Sequence, residues 1–140
     1  MRAKKVDINQ EISVDDVAHD EDGCSNLTVI VRGTSQDPFV RKIEKAIHSK
    51  IGGYTDKHCE MSAVIIVSDR MDNATEFKEV MTHEIGHLIG LMHIPVPEES
   101  VMFPGMDHST PCITQLDLKE LCMIYEWDAK KLKPVCYSVK

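Results

Sequence analysis

The sequence predicts an α+β fold with α/β-like character, a small twisted mixed sheet carrying about three main helices in one domain over residues 1–140. Three observations predict it. Two short β-branched runs flank an amphipathic helical pattern near residue 40, a capped helical pattern opens near residue 74, and a second one opens near residue 114. A chain of 140 residues can bury one hydrophobic core unaided.

The elements follow in order. Val6, Ile8, Ile12 and Val14 alternate with Asp7, Asn9, Glu11 and Ser13, the period of a half-buried strand. Residues 15–22 are strongly acidic but lack calcium-loop spacing and its closing glutamate, so they read as a solvated connection. Residues 27–32 are rich in β-branched side chains and stop at Gly33, which makes a second strand. A helix is expected next: Asp37 as cap, Pro38 in the first turn, an apolar face of Phe39, Ile43, Ala46, Ile47 and Ile51, and Gly52 and Gly53 ending it. His48 reads as a surface residue. The run Ala63, Val64, Ile65, Ile66, Val67 is short and wholly apolar, as in a central strand buried on both faces. Strand, helix, strand implies a right-handed crossover and a parallel pair.

Asn73 with Glu76 three residues on resembles a capping box, so a helix should start near Ala74 and end at Leu88 or Ile89. Its apolar residues are spread round it, as expected of a helix buried on more than one side. Residues 94–111 form a loop with prolines at 95, 97 and 104 before Pro111. Thr114 caps the last helix, with Asp117 at its third position, Ile113 stapled onto Leu118, and Leu118, Leu121, Cys122 and Tyr125 as its buried stripe. There are no internal repeats or low-complexity tracts.

The second of these helices carries the chemistry. From His83 to His93 the chain reads H-E-x-x-H-x-x-G-x-x-H. His83 and His87 lie about 40° apart round a helix and about 6 Å apart along it, so both imidazoles can reach one ion. On a continued helix His93 would stand about 240° round and about 9 Å beyond His87, too far for a zinc–nitrogen bond of about 2 Å. The helix must therefore end, and Gly90 stands where a left-handed turn is needed. Three histidines leave a fourth zinc position for water, the pattern of a catalytic site. Glu84, next to His83, is placed to take that water's proton and pass it to the leaving amine, as general base and acid and not as a ligand.

These residues resemble the metzincin clan of zinc endopeptidases. In Ser100, Val101, Met102, Phe103 and Pro104 the methionine is similar to that of the clan's Met-turn, which implies that Met102 is a buried, non-ligating residue beneath the metal. The stretch from His83 through Pro104, with Ile113 to Leu118 and Ile124 and Tyr125, is most similar to the matrixin branch, over roughly residues 74–127. Ile94 and Phe103 depart from the serine and tyrosine usual there. The loops that hold structural zinc and calcium in animal matrixins are missing before the helix, which implies one catalytic Zn2+ and no structural calcium. The cysteine-switch motif is also missing, so the likeness is to a shortened, divergent member. What the resemblance implies is a zinc-dependent endopeptidase acting on a peptide or protein substrate, laid along the exposed sheet edge. The loop after His93 should line the pocket for the residue following the scissile bond. No tyrosine stands beside Met102, so no second oxyanion donor is named; Tyr54 or Tyr137 would serve only if the fold brings one to the site. The alternatives are a zinc-containing binding module that cuts nothing, and an exopeptidase with the same metal chemistry.

Composition bounds the rest. Lys plus Arg number 16 against 23 Asp plus Glu, a net charge of −7, which disfavours nucleic acid and anionic membrane surfaces as partners. No apolar run approaches the roughly 18 residues of a membrane span, and the basic start lacks the apolar segment of a secretion signal. A monomer is expected, and a cytoplasmic location is weakly favoured. Five cysteines, with no C-x-x-C pair, read as reduced and mostly buried. The alternatives are a bond from Cys136 to Cys112 or Cys122, and Cys24 as an internal thiolate for zinc.

Overall fold

A computed structural model describes residues 22–25, 27–96, 100–104 and 112–136. The strand expected over residues 6–14 and all of the acidic loop but Asp22 lie outside the described residues. Among the described residues the fold is α+β, with three α-helices and a three-stranded mixed sheet. Strand β1 (Thr28–Gly33) leads through helix α1 (Pro38–Ile47) to β2 (Gly53–Asp56) and β3 (Ser62–Val67). Helix α2 (Ala74–Leu88), β4 (Cys112–Ile113), helix α3 (Gln115–Tyr125) and β5 (Val135–Cys136) follow.

The sheet order is β1-β3-β2, with β3 parallel to β1 and antiparallel to β2. The apolar run is thus the central strand, and Val64, Ile66 and Val67 are almost wholly buried. Its alternating side chains serve two clusters: Ile65 and Val67 pack with Val40 and Ile51 beneath α1, while Val64 and Ile66 pack with Val80 and Leu88 of α2. A third cluster joins Leu91, Val101 and Met102 to Leu118 and Leu121 of α3.

Helix α1 departs from expectation in three ways. The Asp37 carboxylate makes no cap bond to the helix and accepts instead from the Thr34 N–H at 2.7 Å. Val40 is the fully buried residue and Ile43 packs beside it, whereas Phe39, Ala46 and Ile47 are exposed. The helix ends at His48 in the left-handed region, φ 56°, four residues before the glycines. Those glycines serve the next element: Gly52 accepts from Val67 N–H and Gly53 opens β2, a strand the sequence reading did not expect.

The approach to β2 is held by Glu44 of α1. Its carboxylate accepts from the Ile51 N–H at 2.9 Å and pairs with Arg70, whose guanidinium also donates to the Ile51 carbonyl at 2.6 Å. The Arg70 hydrogen bond holds the Glu44 carboxyl below its ordinary range.

At the start of α2, Asn73 Oδ1 accepts from the Glu76 N–H at 2.9 Å as expected, but the Glu76 carboxylate accepts from Asp72 N–H and not from Asn73. Thr114 and Asp117 form a full capping box at α3, and Ile113 packs with Leu118 in the same cluster. Tyr125 is exposed, contrary to expectation, and its hydroxyl donates to the Ile89 carbonyl at the end of α2.

The cysteines need correcting too. Cys24 and Cys59 form a disulfide, Cα to Cα 4.4 Å, because the parallel register of Thr28 with Ser62 brings the stretches before β1 and β3 side by side. Cys24 is therefore no thiolate for zinc. Disulfides persist in oxidising surroundings, so this bond lends no support to a cytoplasmic location. Cys122 is buried and reduced, and Cys112 lies opposite Cys136 in the β4–β5 register.

Candidate metal centre

Helix α2 presents His83 and His87 one turn apart, and their Nε2 atoms lie 3.1 Å from each other. The chain then stops being helical. Gly90 N–H donates to the His87 carbonyl at 3.1 Å and Leu91 N–H to the Gly86 carbonyl at 2.9 Å, the paired bonds of a Schellman turn. Gly90 takes φ 108°, where a side chain is strained. This reversal brings His93 back, and ligand atoms of the three imidazoles lie within 4.8 Å of one another. His83 is buried, His87 half-buried and His93 exposed, so the cluster opens to solvent on one side.

Carbonyl oxygens orient the rings. His83 Nδ1 donates to the Val101 carbonyl at 2.7 Å and His87 Nδ1 to the Leu91 carbonyl at 2.8 Å. A carbonyl only accepts, so each Nδ1 carries the hydrogen and each Nε2 turns a lone pair inward. Two lone pairs 3.1 Å apart repel unless a cation lies between them. A tetrahedral zinc with bonds of about 2.0–2.1 Å sets its nitrogens about 3.3 Å apart, so the donor set fits such an ion.

The Val101 carbonyl is itself positioned. Asp117, 1% exposed, accepts from the Val101 N–H at 3.1 Å, the Thr114 N–H at 2.9 Å, the Thr114 hydroxyl at 3.0 Å and the Ser100 hydroxyl. Ser100 Oγ in turn accepts from Met102 N–H at 2.9 Å. Met102 is fully buried, and its carbonyl accepts from Ile94 N–H at 3.0 Å, which closes the loop that follows His93. Its sulfur lies against helix α2, where a Cβ on Gly86 would clash with it. Sequence reading saw Asp117 only as a capping residue. The signal for its second role, a carboxylate at the third helical position facing a Ser-Val-Met turn 16 residues upstream, exists only in three dimensions.

Glu84 is 6% exposed and lies against β2. Its carboxylate accepts from the Thr55 hydroxyl at 2.6 Å. Burial pushes the Glu84 carboxyl above its ordinary range, opposed by the Thr55 hydrogen bond and by His87. Glu84, the three histidines, Thr55 and Lys57 line one open cleft of about 560 Å3. Tyr54 also lines it, while its ring packs with the cluster under α1; Tyr137 lies outside the described residues.

The matrixin family model matches residues 26–126, from just before β1 to the end of α3. The chain belongs to the matrixin family. No curated protein and no solved structure matches it. Matrixins are zinc-dependent metallopeptidases, so this matrixin is of a family whose substrates are peptides or proteins, and its histidine triad is positioned to hold a metal. The match begins well before helix α2 and takes in β1, α1 and β2, more than the C-terminal half on which the sequence resemblance rested. No helix among the described residues is long and apolar enough to cross a membrane.

Proposed function

We propose that this matrixin is an endopeptidase holding one catalytic zinc on His83, His87 and His93, with Glu84 as general base. The observation that carries the reading is the pair of inward-turned Nε2 atoms 3.1 Å apart beside a buried carboxylate in one open cleft. A bound zinc supplies Lewis acidity, polarising the scissile carbonyl and making water a nucleophile near neutral pH.

The protein's own groups do the rest. β2 pairs with β3 on one side only among the described residues, so its other edge offers backbone groups to an extended peptide across the cleft from α2. A peptide held so is fixed in direction, with its scissile bond over the triad. Glu84, within the same cleft, takes the proton of the attacking water and returns it to the departing amine. Burial that raises the Glu84 carboxyl makes its carboxylate a stronger base for the first step, the removal of the water's proton. Met102 packs under the helix and ligates nothing. A monomer with no further structural metal is part of the same reading.

The test is metal content together with hydrolysis of a quenched-peptide library, for the native chain and for Glu84→Gln. One zinc per chain in both proteins, with cleavage only in the native one, is the expected result. Equal cleavage by both would sink the base assignment, and no zinc in either would sink the whole reading.

A further inference from the structure

Strand β2 touches the zinc helix at the one residue expected to move a proton. A Cβ on Gly53 would lie 2.7 Å from Glu84 Cγ, 2.8 Å from Val80 Cγ1 and 3.0 Å from Glu84 Oε1, so only glycine lets the strand come this close. Side chains alternate along a strand. Tyr54 accordingly packs under α1 with Val40 and Ile51, and Thr55 returns to the face that Gly53 shares with α2. There the Thr55 hydroxyl finds two acceptors on the same residue: Glu84 Oε2 at 2.6 Å and the Glu84 backbone carbonyl at 2.8 Å.

We propose that Thr55 is a positioning residue for Glu84, its hydroxyl fixing the plane of the carboxylate relative to the helix that bears the histidines. The inference rests on the endopeptidase reading and deepens it. A hydroxyl has one hydrogen and can give it to one acceptor at a time. While Glu84 is ionised the carboxylate is the stronger acceptor, and 2.6 Å is the length of a charge-assisted O–H···O bond. With that bond on Oε2, Oε1 stays in the space that the missing Cβ of Gly53 leaves. The Glu84 backbone carbonyl, 2.8 Å away, is a second acceptor within reach of the same hydroxyl. One side chain thus ties both the carboxylate and the backbone of Glu84 to β2. The same strand that offers its edge to the substrate thereby holds the base that activates the attacking water.

A merely structural threonine makes the opposite demand from a hydrogen-bonding one. Valine keeps the β-branched shape and loses the hydroxyl, while serine keeps the hydroxyl and loses the methyl. The experiment compares Thr55→Val and Thr55→Ser in the zinc-loaded protein for kcat, KM and zinc content. It adds an unfolding double-mutant cycle of Thr55→Val with Glu84→Ala in the zinc-free protein. The expected result is a fall in kcat of about tenfold or more for valine at unchanged KM and zinc content, the scale of one hydrogen bond to a charged group. Serine should restore most of it, and the cycle should show a coupling of about threefold or more in the unfolding equilibrium. A serine variant as impaired as the valine one, or a coupling below about twofold, would overturn the proposal. Should the native chain cleave nothing, the endopeptidase reading falls and takes the catalytic part of this inference with it, while the coupling in the zinc-free protein still decides whether the Thr55–Glu84 pair is made.

Discussion

Replacing Asp117 by alanine should weaken both the fold and the grip on zinc, and the two losses have one origin. The carboxylate accepts from the Val101 N–H, the Thr114 N–H, the Thr114 hydroxyl and the Ser100 hydroxyl, and both Ser100 and Val101 are almost wholly buried. A buried N–H left without an acceptor costs about 1–3 kcal/mol, and a lost helix cap about 1 kcal/mol. Thr114 lies at the half-buried start of α3, where water can replace part of what is lost. The sum is about 3–5 kcal/mol, a fifth or more of the roughly 5–15 kcal/mol of a typical domain. At about 2–4 °C per kcal/mol, Tm should fall by about 10 °C. Because the carbonyl of the same residue, Val101, accepts from His83 Nδ1, zinc affinity should drop by about 10–100-fold, the usual cost of disturbing a ligand's outer partner. The milder Asp117→Asn substitution keeps one acceptor oxygen and should fall between. Urea unfolding of the zinc-free protein reads the first loss, and competition with a chromophoric chelator reads the second. A destabilised Asp117→Ala protein with native zinc affinity would refute the link from Asp117 through Val101 to His83, and a loss of stability under about 1 kcal/mol would refute the hydrogen-bond accounting.

Three further outcomes follow from other contacts. Gly90→Ala forces a side chain onto φ 108° and should cost about 1–2 kcal/mol, with weaker zinc binding because His93 depends on that turn; chelator titration at unchanged His83 and His87 checks it. Cys24→Ser opens a loop between residues 35 apart in sequence and should cost about 3–4 kcal/mol in the chain-entropy account, seen as a urea midpoint below that of the native chain, a gap that closes in reductant. Glu44 has a folded-state pKa below its ordinary 4.5, so its contribution is present above that value and lost as pH falls through the depressed one. The difference in stability between the native chain and Glu44→Gln should therefore shrink as pH drops below 4.5, and a difference that grew in acid would reverse the sign.

How much of this was legible in the sequence depended on whether the signal was local. Capping at Thr114, the apolar run of β3 and the parallel β1–β3 pair were legible because each is written in neighbouring residues or in element order. The turn at Gly90 was legible for a stronger reason: the spacing of His87 and His93 cannot be reconciled with one ion unless the helix ends between them. What failed to show is non-local. Gly52 and Gly53 look like a helix terminus in sequence, yet His48 accepts the left-handed conformation and Gly53 is kept for a close approach to α2. Phe39 and Ile47 fit an amphipathic pattern and are nonetheless exposed, since a helix lying on a three-stranded sheet buries a narrower stripe than its apolar residues could cover. Asp117 fits a capping box so completely that nothing in the sequence asks it to do more, and Thr55 sits in a four-residue strand too short to announce itself. These two omissions share a cause. His83, His87 and Glu84 must be close in sequence because one helix presents them, whereas the groups that hold Glu84 and His83 in place come from elsewhere in the fold, 29 and 34 residues away, because the backbone groups inside a helix are already taken up by its own hydrogen bonds.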